Sequence, residues 1–193
     1  MKTKKQRRIA ILKDAIAQIN ANKIKALPGE VVELPNEILI STETNAKPVL
    51  QAFFKKQQVK EPCYACARGS LLLCTIHKEN DFELCDLDGL GGGFNSGSIT
   101  DSRLLKVFTE QQLQLMENAF EVEFYLQDLE EDDLERVRST DKVDYSSYCQ
   151  NAIYLNEKLQ EKSVLFGAKY ENPNDRLLAI FKNAIKNKGT FKP

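Results

Sequence analysis

The side chains able to bind a metal ion or attack an electrophile crowd into one stretch. Cys63, Cys66 and Cys74, three of the five cysteines, precede the only histidine, His77. Their Cys63-x-x-Cys66 and Cys74-x-x-His77 pattern supplies the four soft ligands that tetrahedral zinc prefers, so zinc, if bound, would take these four residues. The residues between the two pairs, Ala67-Arg-Gly-Ser-Leu-Leu-Leu73, read as helix. On one continuous helix Cys63 and His77 stand about 21 Å apart at a rise of about 1.5 Å per residue, too far to share an ion. The expectation is therefore no cofactor, with the cysteines packed as small hydrophobes along one stripe. A redox pair at Cys63-x-x-Cys66 would gain from a helix start, where the dipole favours thiolate, but no strand of the thioredoxin type precedes it. A thiol nucleophile would need His77 as its base, and only Cys74 is near enough in sequence. No catalytic residue is assigned.

Candidate binding residues lie in three other places. Arg68 is the one charge in the apolar run from Ala65 to Ile76. It reads either as a surface arginine whose stem covers apolar neighbours or as a buried cation paired with an acid or a ligand. Asp86 to Ser98 holds five of the nine glycines and offers Asp86, Asp88, Asn95 and Ser96. It lacks the Gly-Lys-Ser/Thr of a phosphate loop and the regular acids of a calcium loop, so it reads first as a simple connection and otherwise as backbone amides facing an anion. Lys4, Lys5, Arg7 and Arg8 begin the chain and could grip phosphates.

The elements that must position these groups follow from periodicity. Ile9, Leu12, Ile16 and Ile19 predict a basic N-terminal helix over 4–22, peripheral to the rest. Val31 to Leu34 and Ile38 to Ile40 predict two short strands around Pro35-Asn36, and Leu50, Phe53 and Phe54 a second helix. A central helix apolar on every side is predicted over 62–78. Gly69 within it implies that another backbone or a large side chain presses on that turn. Beyond the glycine-rich loop 86–99, Thr100-Asp101 caps a helix carrying Leu104, Leu105 and Phe108, and Thr109-x-x-Gln112 opens another through Phe120. Phe82 to Leu87 and Glu121 to Leu126 read as strands. Asp128 to Arg138 reads as an acidic helix, Tyr145 to Leu159 as an aromatic one, and Asn174 to Lys186 as the last, with Gly189 as its left-handed cap. The fold class is mainly α: one domain over 1–193, a helical bundle around the central helix with one or two short β segments.

Composition bounds the function classes. A hydrophobic share of 42% and a charged share of 28% are those of an ordinary globular chain. The longest apolar runs fall far short of the roughly 20 residues that cross a bilayer, so no membrane association is expected. No export signal is read, and an odd number of cysteines fits reduced thiols, so the expected location is the cytoplasm. The net charge of −1 conceals polarity: residues 1 to 60 carry 12 Lys/Arg against 5 Asp/Glu, and residues 110 to 157 carry 3 against 13. Such opposed faces suit protein contacts, including a homo-oligomer, better than nonspecific nucleic-acid binding.

Two stretches, Cys63-x-x-Cys-Ala-Arg-Gly-Ser-Leu and Arg176 to Pro193, resemble a loosely defined set of uncharacterised small phage and bacterial proteins with a central Cys-Ala-x-Gly-Ser/Ala-Leu helix. Phe108 to Glu121 is similar to the Phe-Thr/Ser-x-x-Gln-Leu-x-Leu-Ile/Met-Glu-x-Ala-Phe-Glu helix of that set, and Asn187 to Phe191 to its Asn-x-Gly-x-Phe ending. The resemblance implies a phage or mobile-element setting, in the host cytoplasm, and brings no activity or functional residue with it.

The expected function is that of a non-enzymatic binding protein, of anti-defence or host-takeover type, acting on a host macromolecule or sequestering a small anionic ligand. The alternatives are a nucleic-acid-binding protein using the basic N-terminal helix, with zinc at the cysteine stretch, and a thiol-dependent enzyme.

Overall fold

Helix formation begins at a capping box. In the computed structural model, which describes residues 2–29, 31–35, 37–38, 46–79, 104–126 and 158–193, the Gln6 amide donates to Thr3 Oγ1 at 3.2 Å and the Thr3 amide to Gln6 Oε1 at 2.9 Å. Two of the open amide donors at the start of α1 (Lys4–Asn20), those of Thr3 and Gln6, are thereby satisfied. The helix stops where Asn22 turns left-handed at φ 53°, a conformation asparagine tolerates. Its amide donates to Ile19 O and that of Lys23 to Gln18 O, closing a Schellman motif. Ile11, Leu12, Ala15 and Ile19 are buried, so α1 is part of the core and not peripheral to it.

A small sheet follows, in the order β1 (Ile24–Ala26), β3 (Cys63–Ala65), β2 (Val32–Glu33). β1 runs parallel to β3 with Ile24 opposite Cys63, and β2 runs antiparallel to it with Val32 opposite Ala65. The helix expected over 62–78 therefore begins later, because Cys63 to Ala65 is the central strand. The Cys63 amide donates to Lys23 O and the Leu27 amide to Ala65 O. These partners lie some forty residues away, and local apolar periodicity carries no trace of such pairing.

α2 (Ala46–Lys55) buries Leu50, Phe53 and Phe54, the patch predicted for it. α3 (Ala67–Lys78) is the central helix, buried at every position from Ala67 to Ile76 and packed on α1, α2 and α4 (Glu110–Phe120). Burial of each of Leu71, Leu72 and Leu73 is worth roughly 1.5–3 kcal/mol. Thr109 caps α4 as expected, accepting from the Gln112 amide at 3.3 Å. Residues 122–126, read as strand, form the short helix α5 (Val122–Leu126). The Glu121 amide still bonds Glu117 O, so the chain leaves α4 by a tight bend, and Val122 packs against the next helix instead of pairing with a strand.

α6 (Lys158–Ala168) lies on α4 so closely that a Cβ on Gly167 would stand 1.8 Å from Ala119 O. α7 (Pro173–Lys186) starts at Asn172, whose side chain accepts from Asn174 N and Asp175 N, with Pro173 in the first turn. Its end is a second Schellman motif: the left-handed C′ residue is Lys188 at φ 61°, and Gly189, expected in that place, follows at φ 89°. The expected strand at 82–87, the cap at Thr100-Asp101, the helix at 128–138 and most of the aromatic helix lie outside the described residues. The fold is mainly helical, with one three-stranded sheet among the described residues, and no described helix is long and apolar enough to cross a membrane.

Candidate ligand pocket

A turn, a strand end and a helix face enclose a cavity of about 380 Å³. Pro28-Gly29 turns the chain between β1 and β2, with Gly29 at φ 82°, and brings Gly29 and Val31 to one wall. Cys66, where β3 gives way to α3, forms a second. Gln114, Glu117 and Glu121, on one face at the end of α4, form the third with Tyr125 of α5.

Asn118, 2% exposed, organises that face from behind. Its Oδ1 accepts from Gln114 Nε2 at 2.9 Å and from the Tyr125 hydroxyl at 2.9 Å, which fixes both side chains. Glu117 is bound to Arg68: Arg68 Nη2 lies 3.0 Å from Glu117 Oε2 and 3.0 Å from Glu110 Oε1. Arg68 is 9% exposed, so of its two readings the structure supports the buried, ion-paired one.

Glu121 is different. Its Oε2 accepts from the Gly29 amide at 2.9 Å, and no cation among the described residues forms an ion pair with it. Burial pushes its carboxyl up to about 7, with further repulsion from Glu117 and Glu123 and against the pull of the Gly29 amide and, more weakly, of the Arg176 charge. Near neutral pH this side chain can therefore give or take a proton, and it opens on a space large enough for a small molecule. Cys66 is no nucleophile beside it, since burial pushes the thiol up to about 12. Its Sγ instead accepts from the Gly69 amide at 3.5 Å as the cap of α3.

The other groups singled out from sequence disperse. Cys63 sits on β3 and Cys74 inside α3, both buried and free. His77 turns to α1, where its Nδ1 lies 2.6 Å from Asp14 Oδ2. Lys78 Nζ and Gln18 Nε2 each lie 3.1 Å from Asp14 Oδ1. Burial works to raise the Asp14 pKa, yet the hydrogen bonds from His77 and Gln18 outweigh it and hold the carboxyl below its ordinary value. Cys74, His77 and Asp14 thus have the composition of a catalytic triad, but Cys74 is wholly buried and its thiol is held well above the ordinary range, so the group acts as a clamp between α1 and α3. Among the described residues no three of the His, Cys, Asp and Glu side chains come together as a metal site.

Lys4 and Lys5 are exposed on the first turn of α1. Arg7 is instead ion-paired with Glu79, and Arg8 Nη1 donates to Gly189 O at 3.3 Å. None of the four lines the pocket. Asp86, Asp88, Asn95 and Ser96 lie outside the described residues. Sequence reasoning missed Gln114, Glu117, Glu121 and Tyr125; the available signal was a pair of acids four residues apart beside the buried stripe of α4. It also missed Arg176, 2% exposed, whose guanidinium donates to Phe120 O at 2.8 Å and to Tyr170 O at 2.9 and 3.0 Å, and fixes the bend that presents Glu121.

The chain matches no family model, no curated protein and no solved structure with which it was compared.

Proposed function

We propose that the chain is a non-enzymatic binding protein that takes a small ligand between the Pro28-Gly29 turn and the end of α4, with Glu121 as the anchoring group. The observation that carries this reading is a partly buried carboxylate, tethered by the Gly29 amide, that opens on a cavity without an ion-pair partner among the described residues. Such a group seeks a hydrogen-bond donor or a positive charge. The acidic lining favours an amine over the small anion expected from sequence, because an anion would meet both Glu117 and Glu121. Sequestration in a phage or mobile-element setting, with anti-defence action, is the sharper form of this reading and rests on the motif resemblance.

The test is calorimetric titration of the chain with putrescine, agmatine and ethanolamine, and with succinate and citrate, at pH 8. At least one amine binds, and Glu121→Gln weakens that binding tenfold or more, as expected for a lost charge-assisted hydrogen bond of about 1.5–3 kcal/mol. Binding of the carboxylates with no response to the amines, or amine binding unaffected by Glu121→Gln, would overturn the assignment.

A further inference from the structure

A second hollow, of about 640 Å³, lies between the end of α6 and the outer stripe of α7. α7 gives Leu177, Ile180, Phe181 and Ala184 to the core, while Leu178, Lys182 and Lys186 recur every four residues along another stripe and line the hollow with Asp175. The apolar floor is Leu178 with Phe166 and Tyr170, whose rings meet at 5.8 Å and 47°. All three are only half-buried, so the patch is apolar surface left open. Lys182 and Lys186 are exposed on the rim one turn apart, and neither has an ion-pair or hydrogen-bond partner among the described residues.

We propose that this hollow is a docking groove for an acidic segment of a partner protein that carries a leucine or aromatic anchor. The open aromatic floor calls for an apolar side chain at the centre of the contact, and the two lysines call for carboxylates at its edge. The groove is also polar along its length. Asp175 stands at the end where α7 begins and the lysines towards the end where it finishes, about 16 Å away at ~1.5 Å per residue. A partner segment therefore places its acids beside Lys182 and Lys186 and keeps them from Asp175, which sets its direction. That span matches about three turns of helix or five extended residues. A nucleic acid fits less well, because two cations with an acid in line offer few phosphate contacts and the floor has no use for a sugar-phosphate backbone. The groove shares no lining residue with the cavity at Glu121, and its occupant is independent of that ligand.

To test this, display libraries of random peptides of about twelve residues, long enough to cover the groove, are panned on the full chain. The enriched sequence is then made with a fluorescent label and titrated by anisotropy. Enriched peptides carry at least two acids next to leucine, phenylalanine or tyrosine, and bind more weakly as salt is raised. Lys182→Glu combined with Lys186→Glu weakens binding at least tenfold and lowers the melting temperature only slightly, since both side chains are exposed and only Lys186 lies in the last turn of α7. Leu178→Asp abolishes it, and Glu121→Gln leaves it unchanged. Failure to enrich any sequence, enrichment of basic or neutral ones, or affinity indifferent to the lysine reversals overturns the proposal. So does a wild-type dimer in sedimentation that the lysine reversals dissociate, which would make a second copy the occupant. Lysine-dependent binding to phosphatidylserine vesicles in place of the peptides overturns it as well.

Discussion

A Cβ on Gly69 would stand 1.5 Å from the carbonyl oxygen of Val31. The first turn of α3 thus rests directly on the chain entering β2, and the same contact sets the distance between the two walls of the cavity that Val31 and Cys66 supply. Gly69→Ala must push backbone against backbone, which no rotamer change relieves. We expect it to cost about 2–4 kcal/mol, visible as a lowered urea midpoint, and to weaken ligand binding at Glu121 as the wall shifts. A melt within a degree of wild type would show that the contact is looser than described.

Arg68 and Glu117 form a coupled pair at the edge of the cavity. Arg68→Met removes the guanidinium that Glu117 and Glu110 share, at a cost of about 1–3 kcal/mol given that Glu117 is 31% exposed. Adding Glu117→Gln recovers part of the loss. A double-mutant cycle on unfolding free energies reads the coupling, expected at about 1–2 kcal/mol, and a coupling near zero would reduce Arg68 to a packing residue.

Glu121 makes stability fall as pH rises. Its folded pKa of about 7 exceeds the ordinary 4.5, so the folded state holds the proton more tightly. The associated stabilisation is complete below pH 4.5 and is lost as pH climbs through about 7. Glu121→Gln keeps an acceptor for the Gly29 amide and removes the titration. The variant is therefore more stable than wild type at pH 8, by on the order of 1–3 kcal/mol, and close to it at pH 4. Chemical denaturation of both proteins across this range checks the sign.

Asp14 gives the opposite signature. Its pKa is held below the ordinary 3.8, so its contribution is present above that value and disappears as acid protonates the folded carboxylate. Asp14→Asn breaks the clamp to His77 and Lys78 and costs about 2–4 kcal/mol at pH 6. The gap between variant and wild type narrows below pH 4, and an unchanging gap would show that the loss is steric and not ionic.

Much of the helical scaffold was legible because its signals are local. Leu50, Phe53 and Phe54 announce α2, Thr109 and Gln112 the start of α4, and Gly69 the close approach now traced to Val31. The candidate site was less so. Glu121 reads as one acid among many until the bend after α4, held by Arg176, turns it towards Gly29, 92 residues away in sequence. Cys63-x-x-Cys66 drew attention by residue type, yet strand pairing at Cys63 and helix capping at Cys66 account for both.

The sequence by itself determined α1, α2, α4 and α7 and the faces they bury, since hydrophobic spacing and capping residues act within a turn or two. It did not determine α5, which reads as strand, or α6, since the expected aromatic helix ends at Leu159. Tertiary structure alone decided that Cys63 to Ala65 is the central strand. It also decided that Glu121 forms no ion pair among the described residues while Glu117 pairs with Arg68, and that Lys182 and Lys186 border an open apolar groove. Burial and charge pairing depend on neighbours brought together across scores of residues, and those neighbours exist only once the chain has folded.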